Sequence, residues 1–204
     1  MWYIVDCEPG ASLLYGFKEK ISKEEFERRI ADNTLLEVCN RVPVKKGDVF
    51  FIDSGTLHAI GKGILICEIQ QNSNTTYRIY DYGRVGKDGK PRELHVKKAI
   101  DVTKLEPPTK PTTALAKIDI IPGLDMKLLA ECEYFTAYHA TLKGEASLKA
   151  GSESFQTFTI LSGSLKLTSG DTVLDFYKGE SVFIPAGLGI YTLTGDATFI
   201  LSKM

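Results

Sequence analysis

The sequence is short of the residues from which metal centres and covalent frameworks are usually built. Of 204 residues, three are histidine and four are cysteine. His58, His95 and His139 lie far apart, whereas a catalytic zinc site commonly takes three protein ligands. Cys7, Cys39, Cys67 and Cys132 show neither a C-x-x-C pair nor a short framework spacing, so reduced, buried thiols are expected. An excess of charge of one sign is also missing. Twenty-five Lys and Arg stand against 26 Asp and Glu, which leaves no global field to attract nucleic acid. No apolar run approaches the ~20 residues that span a bilayer, and Met1-Trp2-Tyr3 does not open a basic leader. A cytoplasmic chain with no nucleic-acid or membrane partner is expected. With 43% hydrophobic and 25% charged residues, the composition excludes collagen, long coiled coil and wholesale disorder.

What is present reads mostly as strands. Trp2-Tyr3-Ile4-Val5 and Ser12–Phe17 flank the turn at Pro9-Gly10, and further strands are expected at 49–52, 64–70 and 77–82. A helix is signalled over 22–33. Ser22 and Glu25 form an S-x-x-E capping box, and Ile21 with Phe26 stand at the positions of a hydrophobic staple. A second short helix is expected over 92–105. Pro107, Pro108 and Pro111 then break every period, as an extended linker does. Beyond them, short alternating segments such as Phe158–Leu161 and Thr198–Leu201 indicate a sandwich or barrel.

An internal repeat narrows the choice. Gly47–His58 recurs as Gly179–Ile190 at a constant offset of 132, both copies fitting G-x5-[DP]-x-G-x2-[HI]. The template resembles the second signature of the cupin superfamily, a double-sheet jelly roll. That resemblance implies two cupin-like jelly-roll barrels in an all-β chain with a small helical insert. It also implies a metal ligand at His58 and a metal-free second copy, where Ile190 replaces the histidine.

The run G-T-L-H-A at 55–59, E-x-Q-Q-x-S at 68–73, T-Y-R-x-Y-D-Y-x-R at 76–84 and Pro91-Arg92-Glu93-Leu94-His95 all follow in order. Together they resemble the type I mannose-6-phosphate isomerase (phosphomannose isomerase) family over nearly the whole chain, most sharply over 47–95. The resemblance implies interconversion of mannose 6-phosphate and fructose 6-phosphate through an enediolate, with zinc as cofactor and a phosphosugar as partner. It makes Arg78 the active-site arginine and His58 a zinc ligand. The alternative reading is a non-catalytic cupin module that binds sugar phosphates.

The residues also speak for themselves. A guanidinium never loses its charge in a protein and presents a planar fork suited to an enediolate. Charge developing on the two sugar oxygens needs such a fixed cation or a metal. Glu68 shares a strand face with Ile64, Ile66 and Gln70, where a carboxylate is costly to bury without a task or a partner such as Arg78. It is the candidate for proton handling or hydroxyl binding. Residues 62–98 carry eight Lys and Arg against four acids; within this excess Lys62 and Arg84 are the candidate substrate-binding cations, while Lys87 and Lys90 read as a solvated turn. His95 and His139 are given no role.

One departure from the family shapes the domain reading. The family's Gln-x-His pair and Glu, which complete its zinc site, precede the position of His58, and this sequence contains no Gln-x-His. Aligning Phe158 with Trp2 puts the counterpart of Gln156 immediately before Met1. The expectation is therefore an incomplete catalytic barrel at 1–101, short at its N-terminus, with a Pro-rich linker at 102–113 and a second, metal-free barrel at 114–204. Little or no activity is expected of such a chain alone, and a separate N-terminal polypeptide is a candidate partner to complete the first barrel.

Overall fold

The computed structural model of the chain describes residues 1–80, 85–90 and 92–204, with 116–120 by backbone alone. In the first half, β1 (Trp2–Cys7) lies between β4 (Val49–Phe50) and β6 (Ile64–Glu68), and β2 (Ser12–Phe17) lies between β3 (Cys39–Pro43) and β5 (His58–Ala59). In the second half β7 (Ala116–Ile121), β8 (Leu124–Glu131), β9 (Thr136–Ala150), β10 (Gln156–Ser169), β11 (Thr172–Tyr177) and β13 (Gly189–Lys203) form one antiparallel sheet. Its order is β11-β10-β13-β9-β8-β7, and β12 (Ser181–Ile184) pairs with β10. The expected barrels are thus present as open ladders: among the described residues none closes on itself. Nor is any described helix long and apolar enough to cross a membrane.

The repeat seen in the sequence is a repeat of hydrogen bonds. Trp2 pairs with Phe50, and Phe158 pairs with Val182, the residue 132 positions beyond Phe50. The amide of Ile4 donates to Asp48 O and the amide of Gly47 donates to Ile4 O; Ile160, Glu180 and Gly179 repeat both bonds, each at 2.9 Å. The register of β1 on β6 shifts between Ile4 and Asp6, and that of β10 on β13 shifts at the corresponding Ile160 and Ser162. Such a bulge reverses which residues face inward: Phe158 and Ile160 are buried before it, Leu165 and Leu167 after it. The turn glycines match as well, with φ +93° and +91° at Gly47 and Gly179, a region that other residues rarely adopt.

The helical insert folds as its caps dictate. In α1 (Lys23–Ala31) the Glu25 amide donates to Ser22 Oγ at 3.1 Å, and Ile21 and Phe26 pack in one cluster with Phe17. The second helix is shorter than its pattern, α2 (Val96–Val102), and is stopped where the Thr103 hydroxyl bonds back to Ala99 O at 2.7 Å. The strand expected at 77–82 is absent over 77–80; Asp81 and Tyr82 lie outside the described residues. Its backbone has another partner. The Arg78 amide donates to His95 Nδ1 at 3.2 Å and the His95 amide donates to Arg78 O at 2.7 Å, which occupies both ladder groups of Arg78. The Pro-rich segment contacts both halves: the amide of Val49 donates to Thr112 O, that of Leu115 to Leu128 O, and the Lys110 ammonium sits 3.7 Å from the Phe51 ring centroid. All four thiols are free; Cys39 is buried, which pushes its pKa up to about 11.

Among the described residues one buried cluster joins the halves. Met1, Tyr3, Val49 and Cys67 pack against Leu129, Ala130, Ala137 and Ile200, and the Tyr3 and His139 rings lie 5.3 Å apart at 30°. Burial first, then the charges of Lys127 and Lys46, push the His139 pKa below its ordinary 6.5, against an opposing backbone hydrogen bond. The unfolded chain therefore takes up a proton near pH 6.5 that the native ring resists. Stability is lost as pH falls from there through the folded pKa. We expect the drop in Tm between about pH 7.5 and about pH 5.5 to shrink in His139→Phe, which keeps a ring on Tyr3; an unchanged drop would refute the assignment.

Candidate functional site

The first-half repeat ends in a turn that aims His58 off its strand. Gly55 adopts φ +83° in that turn, and a Cβ there would lie 2.5 Å from Val102 O, so glycine is required on two counts. The amide of Thr56 donates to Asp53 O at 3.0 Å, and His58 Nδ1 stands 2.7 Å from Thr56 O. A carbonyl only accepts, so Nδ1 carries a proton, and Nε2 is the ring nitrogen of this exposed residue left to meet a partner. A backbone carbonyl holding the second nitrogen is the usual outer support of a metal-binding imidazole.

Trp2 brings the candidate carboxylate to this histidine. Trp2 and Glu68 are directly opposed in the β1–β6 ladder, and the Trp2 indole N–H donates to Glu68 Oε1 at 2.8 Å. The same indole meets the His58 ring edge-on, with centroids 5.2 Å apart. Trp2 is 3% exposed and packs among Ile4, Leu13, Tyr15 and Phe50, so it is a rigid spacer between the two polar groups. Glu68 itself is exposed, contrary to its placement among isoleucines in sequence. Ile64 and Ile66 pack inward, but Glu68 ends the strand and its carboxylate emerges beside Trp2. No ion pair to Arg78 forms among the described residues; the indole N–H takes that place.

Arg78 is half-buried and held through its backbone by His95, at the start of α2. The neighbouring Ile79 packs against the same buried cluster as Leu57 and Ala59, which flank His58. Lys62 is exposed in the turn before β6, at the end of that strand remote from Glu68. Ile64 to Glu68 alone spans about 13 Å at ~3.3 Å per residue. Arg84 lies outside the described residues. Sequence reasoning missed two contributors, Trp2 and His95. His95 was visible only as the end of a motif, and Trp2 only as the counterpart of Phe158; neither contact follows from spacing.

The described residues contain no group of three or more His, Cys, Asp or Glu able to hold a metal ion. His58 supplies one imidazole, which does not fit a zinc site of three or four protein ligands by itself.

Comparison with known proteins places these features. Residues 125–204 match the family model for the mannose-6-phosphate isomerase cupin domain. Over 203 residues the chain is 43% identical to the mannose-6-phosphate isomerase ManA of Bacillus subtilis, covering 100% of this chain and 63% of that protein. It is 34% identical to the mannose-6-phosphate isomerase of Streptococcus mutans, covering 98% of this chain and 62% of that one. The crystal structure of the mannose 6-phosphate isomerase from Bacillus subtilis superposes on it with TM-score 0.89 at 35% identity, over 100% of this chain and 63% of that chain. The chain thus spans less than two thirds of the length of these relatives. A phosphomannose isomerase variant from Salmonella typhimurium shares the fold, with TM-score 0.72 at 14% identity over 98% of this chain and 64% of that one.

The grip of His95 on Arg78 is open to direct measurement. Replacing His95 with Ala removes the acceptor of the Arg78 amide, a bond worth about 1 kcal/mol net. Hydrogen exchange at that amide should become about fivefold faster; exchange at the wild-type rate would show that the imidazole does not hold it.

Proposed function

The chain belongs to the mannose-6-phosphate isomerase family while spanning 63% of the length of its Bacillus subtilis relative, and on that premise we propose that its first half is the substrate side of an aldose–ketose isomerase site. The reaction is the interconversion of mannose 6-phosphate and fructose 6-phosphate, in carbohydrate metabolism. The observation that carries this reading is the 43% identity over the whole chain, the segment from His58 to His95 included.

Moving a proton between C1 and C2 of an open-chain sugar passes through an enediolate, whose two oxygens gather negative charge. Arg78 is the fixed cation for those oxygens, since its guanidinium is charged at every working pH. Its backbone clamp on His95 limits the main-chain freedom on which that aim depends. Glu68 handles the proton or binds a sugar hydroxyl. The Trp2 N–H occupies Oε1 and leaves Oε2 for that task. The basic excess over 62–98, with Lys62 and Arg84 within it, favours a phosphorylated substrate.

Zinc, in the family, is the expected cofactor, and among the described residues His58 Nε2 is the candidate donor for it. One imidazole does not by itself make a zinc site. The same shortfall supports a second proposal, that these 204 residues alone turn over substrate poorly. Ligands from a separate N-terminal polypeptide would then complete the first cupin unit. A sugar-phosphate-binding module without catalysis is the competing reading, favoured by the missing ligand cluster.

Isothermal titration with mannose 6-phosphate and fructose 6-phosphate, run beside a turnover assay with zinc added, separates these readings. We expect binding that Arg78→Ala abolishes, and turnover at least about 100-fold below that of a full-length relative, since a catalytic metal supplies several kcal/mol. Stoichiometric zinc with ordinary turnover would overturn the impairment. Binding without turnover, even after a complementing N-terminal segment is supplied, would favour the module, and no binding at all would sink the substrate assignment.

A further inference from the structure

The second half keeps a cavity at the place where the first half has its site. Ile190 is the counterpart of His58 at the offset of 132. Leu201 is the counterpart of Glu68, because it pairs with Phe158 as Glu68 pairs with Trp2. Both residues line a cavity of about 590 Å³, inside the range of ligand pockets. The imidazole and the carboxylate have thus been exchanged for aliphatic groups, yet the space remains. Ile190 is left 71% exposed at its mouth.

The remaining lining defines what the space would hold. Met126 and Leu148 extend the apolar floor, and among the described residues the lining carries two lysines, Lys149 and Lys203, and no acid. The Lys203 ammonium lies 5.9 Å from the centroid of the Tyr138 ring, another lining residue. Gln156 is already engaged at both ends of its amide. Its Nε2 donates to Lys149 O at 2.9 Å and its Oε1 accepts from the Tyr191 hydroxyl. A hexose phosphate carries hydroxyls on almost every carbon, and aliphatic walls would leave them unpaired at a cost. Two ammonium groups in a lining with no acid among the described residues favour an anion.

We infer that this cavity binds a small organic anion with an apolar body, whose hydrocarbon part rests on Ile190, Leu201 and Met126 and whose charge is met by Lys149 and Lys203. The site is distinct from the one around His58 and does not depend on the isomerase reading.

Octanoate is the probe. Titrated into the full chain at low ionic strength and followed by amide NMR shifts, it should saturate with changes centred on Leu148, Lys149, Ile190 and Lys203. Octanol, which lacks the charge, should bind about tenfold more weakly, and the double substitution Lys149→Gln with Lys203→Gln should weaken octanoate to a similar degree. Ile190→Asp should abolish binding, and the exposure of this side chain leaves folding unaffected. Octanoate shifts that are absent, scattered over the surface or unchanged in these variants would overturn the proposal. So would mannose 6-phosphate perturbing the same four amides, which would make the cavity a sugar site instead.

Discussion

A strand buried on both faces can neither slip nor change a side chain without disturbing two cores at once, and β1 is in that position. Its even residues, Trp2 and Ile4, pack in the first-half core with Phe50, Tyr15 and Leu13, while Met1 and Tyr3 face the cluster shared with the second half. A one-residue slip would exchange these sets. The same register sets Trp2 opposite Glu68, and the indole then ties that carboxylate to the neighbourhood of His58. Packing of the two halves and geometry of the candidate site therefore rest on one alignment of β1 with β6.

The repeat shows how far a backbone can be kept while its chemistry is replaced. The paired bonds at Ile4 and Ile160, the shared bulge and the matching positive-φ glycines amount to the same local ladder used twice. On it, Trp2, His58 and Glu68 stand where Phe158, Ile190 and Leu201 stand in the second half. One copy gathers an indole, an imidazole and a carboxylate. The other offers a hydrophobic floor with lysines at its edge. The ladder decides where a side chain emerges, and the residue type decides what is done there.

Arg78 illustrates the reverse case, a candidate site position outside any described ladder. Its main-chain groups are both taken by His95, so the segment is fixed without a neighbouring strand. Placing a cation on such a segment avoids the inside–outside alternation that a strand imposes. The cost is dependence on one histidine at the start of a seven-residue helix.

Local patterns settled what local forces control. The capping box at Ser22 and Glu25, the strands at Trp2 and Ser12, the Gly47–His58 repeat and the family resemblance were all legible in residue order, because caps, alternation and glycine turns act over a few neighbours. Residues 77–80 read as a strand by composition, yet strand formation needs a partner, and His95 reached the Arg78 backbone first. Glu68 read as buried because its face is shared with isoleucines, but the strand ends there, a fact set by pairing with β1. The roles of Trp2 and His95, and the cavity that survives beneath Ile190, depend on contacts across 66, 17 and more residues. Sequence by itself determined the elements, the repeat and the chemical inventory. Only the tertiary structure decided which of those groups meet, since long-range register is the joint outcome of two packed faces and not a property of either segment alone.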